Sequence, residues 1–287
     1  MQPKPTDTAA RLSPLPDIRA VLFDIYGTLI ISGSGDVGSD RLDHRRNSLV
    51  ETLNLFDLDL CCDADEATDK FTAAIRMEHE KAKATGVRYP EVDFREIWSA
   101  VLPEITNNKV AGFDPADVSA VDISAFALEF ELRVNPTWPM PNAEAILDLL
   151  HDRGLMLGIV SNAQFFTPLL FDALFDRGLE DLGVSRELTY FSYEHRQAKP
   201  GTELYDLAKS KLADLGIAAN QVLYVGNDML NDVTAASQVG FRTALFAGDQ
   251  RSLRLRIDDD RVHGVEADIV VTELPQLIEC LPSTNSK

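Results

Sequence analysis

The stretch Val21-Leu22-Phe23-Asp24-Ile25-Tyr26-Gly27-Thr28-Leu29 constrains this chain more than any other. An apolar run ends abruptly in an acid, and a turn glycine comes three residues later. A run of this kind reads as a buried parallel strand. Its carboxyl end places Asp24 at the rim of the sheet, where open α/β folds bind their ligands. A lone acid after a strand more often caps a loop or the next helix, so the assignment of Asp24 to chemistry depends on the polar residues at the other strand ends.

Beyond residue 143, strand and helix signals alternate. Residues 143–153 have helical spacing and stop at Gly154, residues 155–160 are an apolar strand, and 165–174 are helical. Residues 188–192 read as a strand, 203–215 as a helix ending at Gly216, and 222–225 as a strand. Residues 232–239 read as a helix ending at Gly240, followed by strands at 242–246 and 267–271. Such alternation means a parallel sheet with helices on both faces. Between residues 40 and 132 the character changes. Segments 45–58, 66–85, 94–102 and 123–133 carry apolar residues at helical spacing, with no convincing strand among them.

The expected fold is therefore α/β, a Rossmann-like parallel sheet core interrupted just after its first strand by an α-helical domain. The core is assigned to residues 17–33 and 134–287, the helical insert to 34–133, and residues 1–16 to a disordered tail. Ser32-Gly33-Ser34-Gly35 and the proline-rich Asn135-Pro136-Thr137-Trp138-Pro139-Met140-Pro141 mark the two junctions. The glycine pair is not a phosphate loop, because no Lys-Ser/Thr comes after it.

The 287 residues carry a net charge of −19, with 45% hydrophobic and 25% charged residues. A core of normal size is expected. The acidity argues against nucleic acid and against anionic membranes. It does not exclude a small anionic substrate, since a pocket can be locally positive. Cys61, Cys62 and Cys280 give neither a disulfide framework nor a zinc signature; buried thiols in a reducing compartment are the expectation. No run approaches transmembrane length, and residues 1–16 hold prolines and charges where a signal peptide needs an apolar core. A cytoplasmic protein is expected; the oligomeric state is not legible.

Four strand ends carry polar residues in order: Asp24; Ser161-Asn162 after the strand 155–160; Lys199-Pro200 before a helix; and Gly226-Asn227-Asp228 with Asp232 after the strand 222–225. Each alone is bland: a helix cap, a turn, an exposed acidic face. Together, on one alternating α/β pattern, they are specific. The set resembles the four motifs of the haloacid dehalogenase (HAD) superfamily, whose members insert a helical (C1-type) cap after the first motif.

The resemblance implies a hydrolase with Asp24 as nucleophile. A carboxylate needs no deprotonation before it attacks, and Mg²⁺ would relieve its repulsion from an anionic substrate. Asp24, the backbone carbonyl of Tyr26 and Asp228 are the implied Mg²⁺ ligands. Asn227 competes with Asp228 for the last position, and the charged residue is the better ligand. Asp232 is implied to bond metal-bound water or to orient Lys199. Lys199 would supply fixed positive charge, Ser161 and Asn162 hydrogen bonds to substrate oxygens, and Thr28 the orientation of Asp24.

One position departs from the family pattern Asp-x-Asp-Gly-Thr: Tyr26 stands at the second Asp. That Asp protonates the leaving group in family phosphatases, a contribution of about 10²–10⁴-fold. Tyrosine, with an unperturbed pKa of about 10, is a poor substitute. The expected reaction is Mg²⁺-dependent hydrolysis of a small phosphate ester or anhydride with a good leaving group. L-2-haloacid dehalogenases, which carry Asp-x-Tyr-Gly-Thr and a tyrosine placed like Tyr205, are one alternative. Their substrate arginine has no counterpart at its offset here, since Arg41, Arg45 and Arg46 come too early. A phosphonate hydrolase using Lys81 or Lys83 is a lesser alternative, and a non-catalytic binder of phosphorylated ligands is the alternative outside enzymes.

Overall fold

The run ending at Asp24 forms strand β1 (Ala20–Phe23), all four of whose residues are buried. The structure, a computed structural model, describes residues 1–33, 40–107 and 121–283, with the backbone alone for 40–43. After β1 come a short strand β2 (Ile30–Ser32) and the helices α1 (Asp40–Leu55), α2 (Ala64–Ala84), α3 (Phe94–Ile105) and α4 (Ile123–Val134). The chain continues through β3 (Thr137–Pro139), α5 (Ala143–Asp152), β4 (Met156–Ser161), α6 (Thr167–Phe175), β5 (Val184–Phe191) and the short α7 (Ser192–His195). It ends with α8 (Glu203–Asp214), β6 (Val222–Gly226), α9 (Ala235–Gln238), β7 (Arg242–Phe246), β8 (Ile269–Val271) and α10 (Leu277–Cys280).

Six strands form one parallel sheet in the order β5-β4-β1-β6-β7-β8. Successive side chains of a strand point to opposite faces, and β1 serves both cores. Val21 and Phe23 enter the cluster that holds Ile146, Leu147 and Phe171, while Ala20 and Leu22 enter the one that holds Leu204, Ala208 and Ala236. The chain leaves β1 for β4 on one side and returns to β6 on the other, so β1 sits at the switch point where such sheets open a crevice. Phe23 is level with Ile159 of β4 and Val225 of β6, which brings Asp24, Ser161 and Gly226 to one rim. Beside this sheet, β2 and β3 pair antiparallel.

The chain divides into two compact units, Met1–Gly35 with Thr137–Lys287, and Asp36–Pro136. Of the junction glycines and serines, Ser34 and Gly35 lie outside the described residues. In the helical unit α1 packs on α4 and α2 on α3. Asp63, Asp93 and Asp122 begin α2, α3 and α4, each accepting a hydrogen bond from a backbone N–H of its first turn. The unit's core is aromatic. Trp98, fully buried, stacks on Phe71 at 4.3 Å and meets Phe126 and Phe130 edge-on at 4.9 and 5.0 Å. No helix among the described residues is long and apolar enough to cross a membrane.

Three expectations are corrected. Residues 1–16 are not a loose tail. Arg11 pairs antiparallel with Val270 of the edge strand β8, Lys4 N–H donates to Asp249, and Leu15 N–H donates to Cys280 O. Prolines that preclude a central strand suit an extended strap on a sheet edge. The helix expected over 232–239 is a π-helical turn (Met229–Thr234) followed by the short α9. Of the three thiols only Cys280 is buried; Cys61 is exposed.

Trp98→Ala empties the centre of the aromatic core. It is expected to cost about 3–5 kcal/mol, measured as a lowered denaturant midpoint.

Candidate active site

Lys199 precedes α8 and carries its ammonium into the protein, with the side chain 3% exposed. Nζ donates to Asp24 Oδ1 at 2.7 Å, Asp232 Oδ1 at 2.6 Å and Tyr224 OH at 3.0 Å. Tyr224 can accept because its own proton goes to Val160 O at 2.7 Å. All three ammonium protons are thus placed. Burial alone would lower the lysine's pKa, but the Asp232 and Asp24 carboxylates outweigh it and raise it. Burial pushes the Asp232 carboxyl up, against the pull of Lys199. Burial also raises Tyr205 and Tyr224 well above the usual tyrosine range, so both stay protonated.

Asp24 is held asymmetrically. Oδ1 accepts from Lys199 and, at 2.9 Å, from Ser161 Oγ. No described group bonds Oδ2, and Asp24 lines a cavity of about 210 Å³ at the rim of the sheet. One oxygen is fixed and the other is offered to a ligand. Gly27, at φ +86°, makes the turn after Asp24; a Cβ there would lie 2.6 Å from both Asn227 Nδ2 and Ser252 Cβ. Gly226 is equally constrained, since its Cβ would meet the Asp232 carboxyl carbon at 2.3 Å.

Several residues have partners other than those expected. Ser161 serves Asp24 rather than a substrate oxygen. Asn162 clamps the backbone of Lys199, accepting from its N–H at 2.8 Å and donating to its carbonyl at 3.2 Å. Thr28 donates to Asn227 Oδ1 at 3.1 Å rather than to Asp24. Tyr26 shares a hydrogen bond with Thr167 Oγ1 at 2.9 Å, at the start of α6, and packs against the core. Residue type showed that each was polar and near a strand end; it could not show which neighbour the hydroxyl or amide would reach.

The carboxylates expected to hold Mg²⁺ are committed elsewhere. Asp228 Oδ1 accepts from the N–H groups of Leu230 and Asn231, capping the π-helical turn. Its Oδ2 accepts from Arg256 Nη2 at 2.7 Å and Nε at 3.2 Å. Asp232 Oδ1 holds Lys199, and Oδ2 accepts from Asp228 N–H at 2.9 Å. Asn227 is spanned between Thr28 and Ser252 O. Among the described residues no three His, Cys, Asp or Glu side chains converge as a metal-binding group. Of the Asp24, Asp228 and Asp232 carboxylates, Asp24 Oδ2 is the one oxygen without a hydrogen bond among the described residues, and these side chains as arranged do not fit an Mg²⁺ site.

A segment without any sequence signal completes the cavity. Residues 249–256 supply Ser252, Arg254 and Arg256 to its lining. The other residues weighed from sequence have structural partners. Tyr205 is buried, donates to Asn231 O at 2.7 Å and lies edge-on to Tyr224. Lys81 and Lys83 pair with Glu78 and Glu80 on the surface of α2, and Arg46 pairs with Asp65 at 3.5 Å. The side chain of Arg41 lies outside the described residues.

With this geometry in place, the comparisons with known proteins agree on one family. The profile of the haloacid dehalogenase-like hydrolases matches residues 18–240, and the chain belongs to that family of hydrolases. A curated relative, the ribulose-1,5-bisphosphate 5-phosphatase of Halopiger xanaduensis, is 28% identical over 142 residues, 49% of this chain and 55% of the relative. The match thus spans about half the length of that relative. The solved 2-haloacid dehalogenase of Pseudomonas syringae pv. Tomato DC3000 is similar at TM-score 0.58 and 16% identity, covering 92% of this chain and 97% of that one. A HAD phosphatase of Thermococcus onnurineus is similar at TM-score 0.52 and 18% identity, covering 91% and 97%. These likenesses show the fold. A dehalogenase and a phosphatase share it, so the reaction must be argued from the site.

Asp232→Asn removes the charge that balances Lys199 and puts an amide against Asp228 N–H. Breaking a buried pair from one side is expected to cost about 3–5 kcal/mol, read from the denaturant midpoint at unchanged slope.

Proposed function

We propose that this chain hydrolyses a small phosphate ester or mixed anhydride through an aspartyl-phosphate on Asp24. The observation that carries the proposal is the divided carboxylate of a cavity-lining residue, with Oδ1 clamped by Lys199 and Ser161 and Oδ2 bonded by no described group. Oδ2 attacks phosphorus and the bond to the leaving group breaks. Water then attacks the acyl-phosphate, releasing phosphate and a proton and restoring the Asp24 carboxylate. Lys199 keeps its positive charge throughout and stabilises charge that develops on the transferring group. No step passes through Mg²⁺, because Asp228 is held by Arg256 and by its own cap.

The leaving group departs without a proton. The hydroxyl of Tyr26 is bonded to Thr167, and Asp232 is buried on Lys199. Substrates with acidic leaving groups are therefore favoured, and the phosphatase named among the curated relatives supports phosphate as the group transferred. In the same proposal the helical unit is the cap that selects the substrate. A second reading, displacement of halide from a 2-haloacid, is favoured by Tyr26, since halide also leaves without a proton.

Phosphate release from p-nitrophenyl phosphate and acetyl phosphate, measured beside halide release from 2-chloropropionate, separates these readings. Phosphate release that falls roughly 10⁴-fold or more in Asp24→Asn is the expected result. Halide release alone establishes the second reading, and neither product sinks both and leaves ligand binding. Tyr26→Asp is expected to raise the rate on an alkyl phosphate by about 10²-fold, by supplying the missing acid; initial rates on a leaving-group series check it.

A further inference from the structure

We infer that Arg256 is the fixed cation of this site: its guanidinium stands where a divalent metal would engage Asp228, and the hydrolase works without one. The inference rests on Asp24 as nucleophile, but its geometry stands independently. Arg256 Nη2 and Nε lie 2.7 and 3.2 Å from Asp228 Oδ2, and Nε lies 3.3 Å from Oδ1. The planar fork of arginine matches a carboxylate in a way a hydrated metal or a lysine does not. The Asp228 side chain is 8% exposed and that of Arg256 36%, so the carboxylate is buried while the arginine reaches it from the solvent side.

The backbone is arranged to hold this contact. Arg254 N–H donates to Asn227 O at 2.9 Å and Met229 N–H donates to Arg254 O at 2.8 Å, zipping the segment alongside Asp228. Arg256 itself has φ +54°, a left-handed conformation that a large side chain rarely adopts. A glycine or asparagine would relieve that strain but would remove the guanidinium. Observed strain at a cavity wall points to a side chain needed where it is.

Charge balance gives the same answer. The cavity is lined by the acids Asp24, Asp228 and Asp232 and by the cations Lys199, Arg254 and Arg256. Three charges of each sign leave it near neutrality before a substrate enters. An anionic substrate can then approach Asp24 without a soluble cation to offset the repulsion. A divalent ion at Asp228 would have to displace the guanidinium and leave two positive charges beside each other.

Mn²⁺ binding, followed by the loss of its free-ion paramagnetic resonance signal, tests the inference whatever the substrate proves to be. The intact protein is expected to bind no Mn²⁺ up to millimolar concentration, and Arg256→Ala to gain one site that Asp228→Asn abolishes in the double variant. Stoichiometric binding by the intact protein, lost in Asp228→Asn, overturns the inference. A folded Arg256→Ala that gains no site also overturns it. Turnover gives a second readout. A rate unchanged by EDTA and lowered at least tenfold in Arg256→Ala supports the inference, and a rate abolished by EDTA and restored by Mg²⁺ overturns it. If the intact protein turns over no substrate, the proposed function fails while the Mn²⁺ result still decides the role of Arg256.

Discussion

The ammonium of Lys199 is the contact on which the rest of the site depends. A buried charge is tolerated only when it is paired and its hydrogen bonds are met, and here each of three protons has an acceptor. Those acceptors come from three places in the sheet: Asp24 after β1, Tyr224 within β6, and Asp232 in the π-helical turn after β6. The pairing of β1 with β6 is therefore tied to the chemistry at its rim. Moving either strand by one residue would turn a side chain to the wrong face and strand the lysine. The same bond that satisfies Lys199 occupies Asp24 Oδ1 and leaves Oδ2 as the oxygen that the proposed reaction uses.

Around this contact the polar residues act on one another more than on a ligand. Asn162 holds the backbone of Lys199, Ser161 holds Asp24, and Thr28 and Asn227 brace the turn at Gly27 against Ser252. Such bracing fixes the Asp24 carboxylate before any ligand arrives, so the proposed reaction would need little reorganisation. It also consumes donors that the resemblance assigns to substrate. The segment 249–256 adds Arg254 and Arg256 to the cavity lining, with Arg256 held on Asp228.

The legible parts of the sequence were those where an apolar run stopped at a polar residue. Asp24, Ser161 and Asp228 each come at or just after the end of a buried strand, and Lys199 lies in the loop before α8, so their shared rim follows from the alternation of elements alone. The long helical insert was legible from the spacing of its apolar residues. Arg254 and Arg256 sit in a charged segment with no period, where nothing distinguishes a site arginine from a solvated one. The π-helical turn was hidden because it depends on Asp228 accepting from Leu230 and Asn231, a bond between neighbours rather than a pattern. The strap at residues 1–16 was hidden because prolines that forbid a central strand permit an edge contact.

The chain carries −19 overall, yet its cavity brings three acids and three cations together. Such local balance in an acidic protein has to be held in place, since a mobile surface arginine would be drawn to any of the many carboxylates outside. The left-handed turn at Arg256 and the backbone zipper at Arg254 supply that restraint. In the proposed reaction such a site presents a carboxylate to an anion, and among the described residues Tyr26 and Asp232 are both bonded elsewhere, so neither protonates what leaves. The selectivity of that proposed reaction lies as much in the leaving group as in the part of the substrate held: stable anions depart, and alkoxides stay.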